Sequence, residues 1–292
     1  MKRKTSAALA RYRITSGKGF RLADHAPDDA GSLGLSKADA PDLLAKGIER
    51  LSELQDMLYA QNRWSVLCLF QAMDAAGKDG TIKHVFSGVN PQGCHVTSFK
   101  APTSQELDQD YLRRHIQALP SRGQIGIHNR SWYEEVLVAR VHPSILAKQQ
   151  LPPACVTKDI WKERLEDIAA TERYLTRQGT VVLKFFLNVS REEQKNRFLS
   201  RLDEPEKHWK FRAADVSERR HWDDYMAAYE EAIRATATPE APWLIVPADR
   251  KWLTRLVVVG AIVEALEKLD LHYPHVGEAD RAAFAEARAA LS

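Results

Sequence analysis

The sequence is poor in cysteine, in net charge and in long apolar runs, and each shortage removes a class of protein. Three cysteines, Cys68, Cys94 and Cys155, stand far apart with no Cys-x-x-Cys pair among them. Neither a disulfide framework nor a zinc cluster is expected, and a reducing cytoplasm is the expected compartment. The 42 basic and 39 acidic residues leave +3 over 292 residues, which argues against a chain coated with charge for non-specific nucleic-acid binding. Any polyanion must be met by a local patch. The purest apolar run, Leu256 to Val263, falls well short of the ~20 residues that span a bilayer, and the basic start from Met1 to Thr15 lacks the apolar stretch of a signal peptide. Neither export nor membrane insertion is expected. The ten histidines show no His-Glu-x-x-His spacing, and no Gly-x-Ser-x-Gly occurs, so two common hydrolase signatures are missing.

What is present is a folded chain, 44% hydrophobic and 28% charged. Residues 1 to about 60 read as an arm. It has a basic start, turn residues at Gly17, Gly19, Pro27, Gly31 and Gly34, and leucines at 43, 44, 51, 54 and 58 that predict a helix from Pro41 through Tyr59 packed on the core. From 61 to 292, apolar runs alternate with longer helical patterns. The runs are Val66 to Phe70, His95 to Phe99, Ile125 to His128, Val181 to Val189 and Trp243 to Val246. Their near-continuous apolarity suits strands buried on both faces, and the gaps leave room for crossover helices. The expected fold is α/β: a doubly wound, mainly parallel sheet flanked by helices, with its active site at the strand ends.

The most informative segment runs from Val66 to Thr81. An apolar strand passes into small residues, and then Gly77, Lys78, Asp79, Gly80 and Thr81 open a helix. Backbone N–H groups, the positive helix end and the Lys78 ammonium would converge on one point, where phosphate oxygens bind. The match to Gly-x-x-x-x-Gly-Lys-Ser/Thr is imperfect, because Ala72 replaces the first glycine and Asp79 the hydroxyl residue. A tight strand-to-helix turn with an exposed lysine is the plain alternative; the strand–loop–helix context and Asp74 favour phosphate. Asp74 can hold Mg2+ directly or through water, orient a phosphate oxygen, or simply bond the backbone of its own turn. Asp79 can serve the metal or cap the helix.

Asn129 and Arg130 end the third strand on the same sheet edge. Arg130 offers a fork of donors suited to phosphate, whereas Asn129 binds a metal only as a neutral ligand. Ser131 with Glu134, and Ser190 with Glu193, match the Ser-x-x-Glu capping box of a helix start. With Glu134 engaged in a cap, Glu135 is the expected functional carboxylate, and with Asp74 the expected metal pair. Trp132 and Tyr133 are expected to pack, and His128 to hydrogen-bond at a strand end. The charged stretch from Arg191 to Arg220 has little apolar periodicity after Leu202 and reads as a mobile cover over the sheet edge. There Arg197 and Arg201 share a helix face, and Lys207 and Lys210 flank Trp209. Such cations can follow a chain of phosphates; a solvated face with local glutamate partners is the alternative.

Taken together, Gln71 to Thr103, Ile125 to Pro143, Lys184 to Phe211 and Ala241 to Leu256 resemble the polyphosphate kinase 2 family, and the likeness runs from about Lys18 to Leu269. The resemblance implies a thymidylate-kinase-like P-loop fold with a helical lid at about 191–225. It also implies Mg2+-dependent phosphoryl transfer, with Mn2+ as a substitute, between inorganic polyphosphate and a nucleoside mono- or diphosphate. By motif match, Asp74, Gly77, Lys78, Asp79 and Gly80 fall on the family's Walker A loop, with Thr81 beside them. Asn129 and Arg130 fall on its Walker B position, and Arg197, Arg201, Lys207 and Lys210 in its lid. A homo-oligomer is implied, with the arm as a candidate contact. Many members carry Asp-Arg where this chain has Asn129-Arg130. The Asn-Arg-Ser-x-Tyr-Glu-Glu form looks like the class III branch, which phosphorylates AMP as well as ADP, and it leaves Glu135 to compensate for the missing carboxylate.

The expected mechanism lays polyphosphate along the lid cations and Lys78, with its terminal phosphoryl group held by Arg130 and Mg2+ for in-line attack by an AMP or ADP oxygen. A nucleotide phosphate is already ionised near neutral pH, so no strong general base is needed. One rival is an ATP-dependent small-molecule or nucleotide kinase, whose hydroxyl after the loop lysine is absent here. Another is a nucleic-acid-binding protein using the basic cover, for which recognition motifs are missing.

Overall fold

In the computed structural model, which describes residues 9–29 and 36–292, the apolar runs become one sheet. Its strands are β1 (Arg13–Ile14), β2 (Ser65–Ala72), β3 (Cys94–Ser98), β4 (Ile125–Asn129), β5 (Thr180–Asn188) and β6 (Trp243–Pro247). They lie in the order β1-β6-β5-β2-β4-β3, with β2 to β6 parallel and β1 antiparallel to β6. The predicted basic start as far as residue 8, and the turn glycines Gly31 and Gly34, lie outside the described residues.

The central strand explains why the runs are uninterrupted. Residues Ser65 to Gln71 are all buried, because β4 and β5 take both edges of β2 and helices take both faces. Each fully buried side chain such as Leu67 or Leu69 contributes roughly 1.5–3 kcal/mol. Register then fixes the site. Phe70 pairs with Asn129 on one side and Phe185 on the other, so β2 and its neighbours run out toward the same edge.

The longer helices are α1 (Ala40–Gln61), α2 (Lys78–Val85), α3 (Ile160–Arg177), α4 (Arg191–Asp203), α5 (Trp222–Thr236), α6 (Lys251–Glu267) and α7 (Glu278–Leu291). α1 and α2 pack against α6, while α3 packs against α5. α6 is apolar over most of its surface because it is sandwiched, burying Val257, Val258, Val259, Ala261 and Ile262. Where α1 crosses it, a Cβ on Gly47 would stand 3.0 Å from Val259 Cγ1, so only glycine lets the two backbones approach this closely without adjustment.

The α3–α5 side carries a buried polar network. Lys184 Nζ, fully buried on β5, donates to Glu172 Oε2 at 2.6 Å and to the Thr236 carbonyl at 2.7 Å. Glu172 Oε1 accepts from the Tyr133 hydroxyl at 2.8 Å and from Trp132 Nε1 at 3.3 Å. Trp132 and Tyr133 are therefore packing residues, both fully buried, and they anchor the turn that carries Glu134.

The arm is stitched to the sheet. Tyr12 accepts from the Ile245 amide at 2.8 Å, Arg13 donates twice to Glu264, and Leu9, Tyr12, Phe20 and Leu22 join the core. A two-residue strand has no periodicity to read, yet it covers the β6 edge, which would otherwise present open hydrogen-bonding groups. Among the described residues no helix is long and apolar enough to cross a membrane.

Candidate active site

β2 ends at Ala72, and the chain turns sharply before α2. Ala75 and Gly77 both adopt left-handed backbone, with φ of 60° and 102°, and alternating handedness of this kind turns successive N–H groups into one concavity. Holding alanine there costs on the order of 1–3 kcal/mol, a strain that folds keep mainly at functional sites. α2 begins at Lys78, so the amides of its first turn, including Asp79 and Gly80, face out from a helix start. Thr81 is buried, its amide returned to the Gly77 carbonyl at 2.9 Å.

Lys78 arches over this turn, its Nζ donating to the Ala72 carbonyl at 3.0 Å. Burial, and then the nearby Arg130 guanidinium, lower its ammonium below the ordinary lysine range, while Asp74, Glu134 and Asp79 oppose that shift. A third left-handed residue faces it: Arg130, φ 68°, whose amide donates to the Phe70 carbonyl at 3.0 Å. The Arg130 guanidinium lies 3.5 Å from Asp74 and 3.8 Å from Glu134, and Glu134, ahead of Asp74, raises its pKa. Asn129 donates to Asp79 Oδ1 at 2.6 Å, tying the end of β4 to the start of α2. The structure thus brings together Asp74, Gly77, Lys78, Asp79, Gly80, Asn129 and Arg130.

Glu134 and Glu135 are placed differently from the arrangement that the sequence suggested. The Ser131 hydroxyl accepts from the Tyr133 amide at 3.3 Å in a tight 3-10 turn, and Glu134 Oε1 instead accepts from Gln71 Nε2 at 2.9 Å. The capping box that reserved Glu134 for structure is absent, because a 3-10 turn brings the second amide, not the third, under the hydroxyl. Glu134 therefore faces the end of β2 and Arg130. Glu135 turns away and is buried. Its Oε2 accepts from Gln149 Nε2 at 2.5 Å and from Arg164 Nη1 at 3.3 Å, and desolvation raises its pKa. It lines a cavity of about 260 Å³ with Pro102, Tyr111, Arg114, Arg164 and Asp167.

The cover begins at α4. Ser190 does cap it, accepting from the Glu193 amide at 3.1 Å, but the Glu193 carboxylate goes to Arg197 at 2.7 Å, so half of the predicted box is present. Arg197, expected on a phosphate track, is 9% exposed and bonds to backbone carbonyls of the loops beneath. Arg201 donates to the Lys210 carbonyl at 3.2 Å and lies 3.6 Å from Asp215. Lys207 pairs with Glu204, and Lys210 lies 4.9 Å from the centre of the exposed Trp209 ring. The Asp215 carboxyl is raised first by burial and then by the charge of Asp74. Lys251, at the start of α6, is lowered by burial and by Arg197, Lys207 and Arg255. No motif in the sequence flagged it; its place directly after β6 on the shared sheet edge was the available signal.

The residues present fit a Mg2+ ion shared with a phosphate chain. Asp74 and Glu134 flank Arg130 from two sides, and magnesium in phosphotransferases takes one or two carboxylates and completes its shell with water and substrate oxygens. Among the described residues no three ligand side chains form a ready cage. His128 is an internal hydrogen-bond donor, its Nε2 3.0 Å from the Ala118 carbonyl, and burial lowers it to about 4.

The sequence model for the family described as Polyphosphate kinase 2 (PPK2) matches residues 34–274. The chain belongs to the polyphosphate kinase 2 family. Among its relatives, the ADP-polyphosphate phosphotransferase of Rhodopseudomonas palustris is 52% identical over 84% of this chain and 86% of its own length. The AMP/ADP-polyphosphate phosphotransferase of Meiothermus ruber is 46% identical over 91% of this chain and 96% of its own. The crystal structure of Polyphosphate Kinase 2 from Arthrobacter aurescens TC1 superimposes with a TM-score of 0.87 at 39% identity, covering 96% of both chains. The family's P-loop kinase fold is thus the fold of this chain.

Proposed function

We propose that this protein transfers a phosphoryl group reversibly between inorganic polyphosphate and AMP or ADP. One observation carries the reading: two cations, Lys78 and Arg130, and a helix start meet at one sheet edge, interleaved with the carboxylates of Asp74 and Glu134. Such a site neutralises a phosphate chain without offering a nucleophile of its own, which is what in-line transfer between two phosphates requires.

In this reading the loop amides from Gly77 to Gly80 and the Lys78 ammonium hold the donor end, and Arg130 bridges donor and acceptor phosphates. Asp74 and Glu134 would hold Mg2+, which supplies charge neutralisation at the transferred group; Mn2+ would substitute. Arg201, Lys207, Lys210 and Lys251 extend the cationic track along the polyphosphate. The cavity beside Glu135 offers room for the nucleoside of the acceptor. Glu135 acts through Arg164, so its expected metal role passes to Glu134. A cytoplasmic location, and a homo-oligomer touching through the arm, complete the proposal.

The ATP-dependent alternative is not favoured. Asp79 stands where such kinases carry a hydroxyl residue, and the relatives described are named for polyphosphate. Incubating the protein with Mg2+, polyphosphate and AMP, ADP, GMP or GDP in turn, with ATP as the competing donor, tests the reading. ADP and ATP should form from AMP and ADP, and EDTA should abolish both. Transfer from ATP alone would overturn it.

A further inference from the structure

Two side chains of α4 face the phosphate loop from behind. Arg197 spends all its donors on structure: Nε on Glu193 at 2.7 Å, Nη1 on the Ala75 and Ala76 carbonyls at 3.1 and 2.7 Å, and Nη2 on the Ala248 and Asp249 carbonyls at 2.6 and 3.3 Å. Gln194, 1% exposed, donates to the Asp74 carbonyl at 2.9 Å. Three successive loop carbonyls, 74 to 76, are thus drawn toward one helix. Peptide groups are planar, so fixing a carbonyl fixes the direction of the following amide. Gln194 is held in turn by Arg219, whose Nη1 donates to its Oε1 at 2.7 Å and to the Arg191 carbonyl at 3.0 Å.

We propose that Arg197 is a positioning residue that clasps the phosphate loop from the first helix of the cover, holding its carbonyls away from the substrate so that its amides converge on phosphate. It follows that α4 stays with the body and that any swing of the cover is confined to the segment between Asp203 and Glu218, which would first release the Arg201 contacts to Lys210 and Asp215. That segment lies between α4 and the Arg219 tie, and it carries Lys207, Lys210 and the 78% exposed Trp209. The clasp needs a fork. An ammonium has three donors at one point and cannot span carbonyls of two separate loops as a guanidinium does.

The inference rests on the proposed polyphosphate reaction for its kinetic test, and hydrogen exchange of the loop tests it independently. In Arg197→Lys and Arg197→Ala alike, kcat should fall about 100-fold, the loss expected of slight misplacement at a reacting centre. KM for polyphosphate and its salt dependence should stay near wild type. Millimolar guanidinium should restore part of the turnover of Arg197→Ala. In Arg197→Lys, amides of residues 74 to 80 should exchange faster while the remaining sheet amides keep their protection. A near-active Arg197→Lys, or a KM that climbs with salt and with chain length, would mean direct phosphate contact and overturn the proposal. Unchanged exchange of the loop amides would overturn it whatever the enzyme transfers, and an inactive wild type with faster loop exchange in the variant would sink the reaction while leaving the clasp.

Discussion

Replacing each of the two adjacent glutamates separates structure from catalysis. Arg164 and Glu135 have side chains only 6% and 11% exposed, so Glu135→Ala strands a buried guanidinium. Breaking such a pair costs about 3–5 kcal/mol. Arg164 keeps two neutral acceptors, the Glu135 carbonyl at 3.1 Å and Gln149 Oε1 at 2.5 Å, which places the expected loss near ~3 kcal/mol. At about 2–4 °C per kcal/mol for a large domain, the thermal midpoint should drop by roughly 6–12 °C. Glu134→Gln behaves oppositely. Its partner Arg130 is 42% exposed at 3.8 Å, so stability should change by less than about 1 kcal/mol. Turnover should nevertheless fall by at least about 10–100-fold, the loss that follows even when only an outer partner of a metal site is removed. Thermal melts and initial rates of ATP formation from ADP and polyphosphate measure both. An inactive but fully stable Glu135→Ala beside an active Glu134→Gln would restore Glu135 as the functional carboxylate and refute the assignment.

Three further outcomes are expected. Burial lowers His115 to about 3 and His128 to about 4 from an ordinary 6.5, so the unfolded chain binds more protons across that interval. Stability should be complete above about pH 6.5 and fall with acidification by about 1.4 kcal/mol per pH unit for each histidine; urea midpoints at pH 5 and 7 should differ less in His128→Gln than in the wild type, and equal slopes would contradict this. Lys184→Met leaves Glu172 buried without its cation, and should cost about 3–5 kcal/mol; adding Glu172→Gln should recover part of that loss in denaturant titrations, and no recovery would argue against a charge origin. The triple change Arg201→Ala, Lys207→Ala and Lys210→Ala should raise KM for polyphosphate and flatten its salt dependence while leaving the midpoint within a few tenths of a kcal/mol; an unaltered salt slope would remove these cations from the track.

Central strand positions were legible because a parallel strand buried on both faces needs an unbroken apolar run, and Val66 to Phe70 or Trp243 to Val246 can be little else; Cys94–Ser98, grouped with them, is instead an edge strand and mostly exposed. The turn between β2 and α2 was legible despite Ala72 and Asp79, since the strand-to-helix context survives when individual letters of the motif change. The edge strand Arg13–Ile14 was not, because two residues carry no alternation. Glu134 was misread through a local rule: Ser-x-x-Glu signals a capping box only when an α-helix follows, and a 3-10 turn follows Ser131. Arg197 shares its spacing with Arg201, yet it faces inward. Helical periodicity gives relative placement on a face, and only the surrounding loops decide whether that face meets solvent or carbonyls.

The most direct trial of the account is turnover by Lys78→Ala, purified and shown by circular dichroism and thermal melting to be folded, with polyphosphate, Mg2+ and ADP. Loss of about a thousandfold or more in kcat is predicted, as expected where a charge-stabilising donor at the transferred group is removed. A folded Lys78→Ala that still makes ATP at a rate close to wild type would contradict the claim that this turn holds the phosphoryl donor.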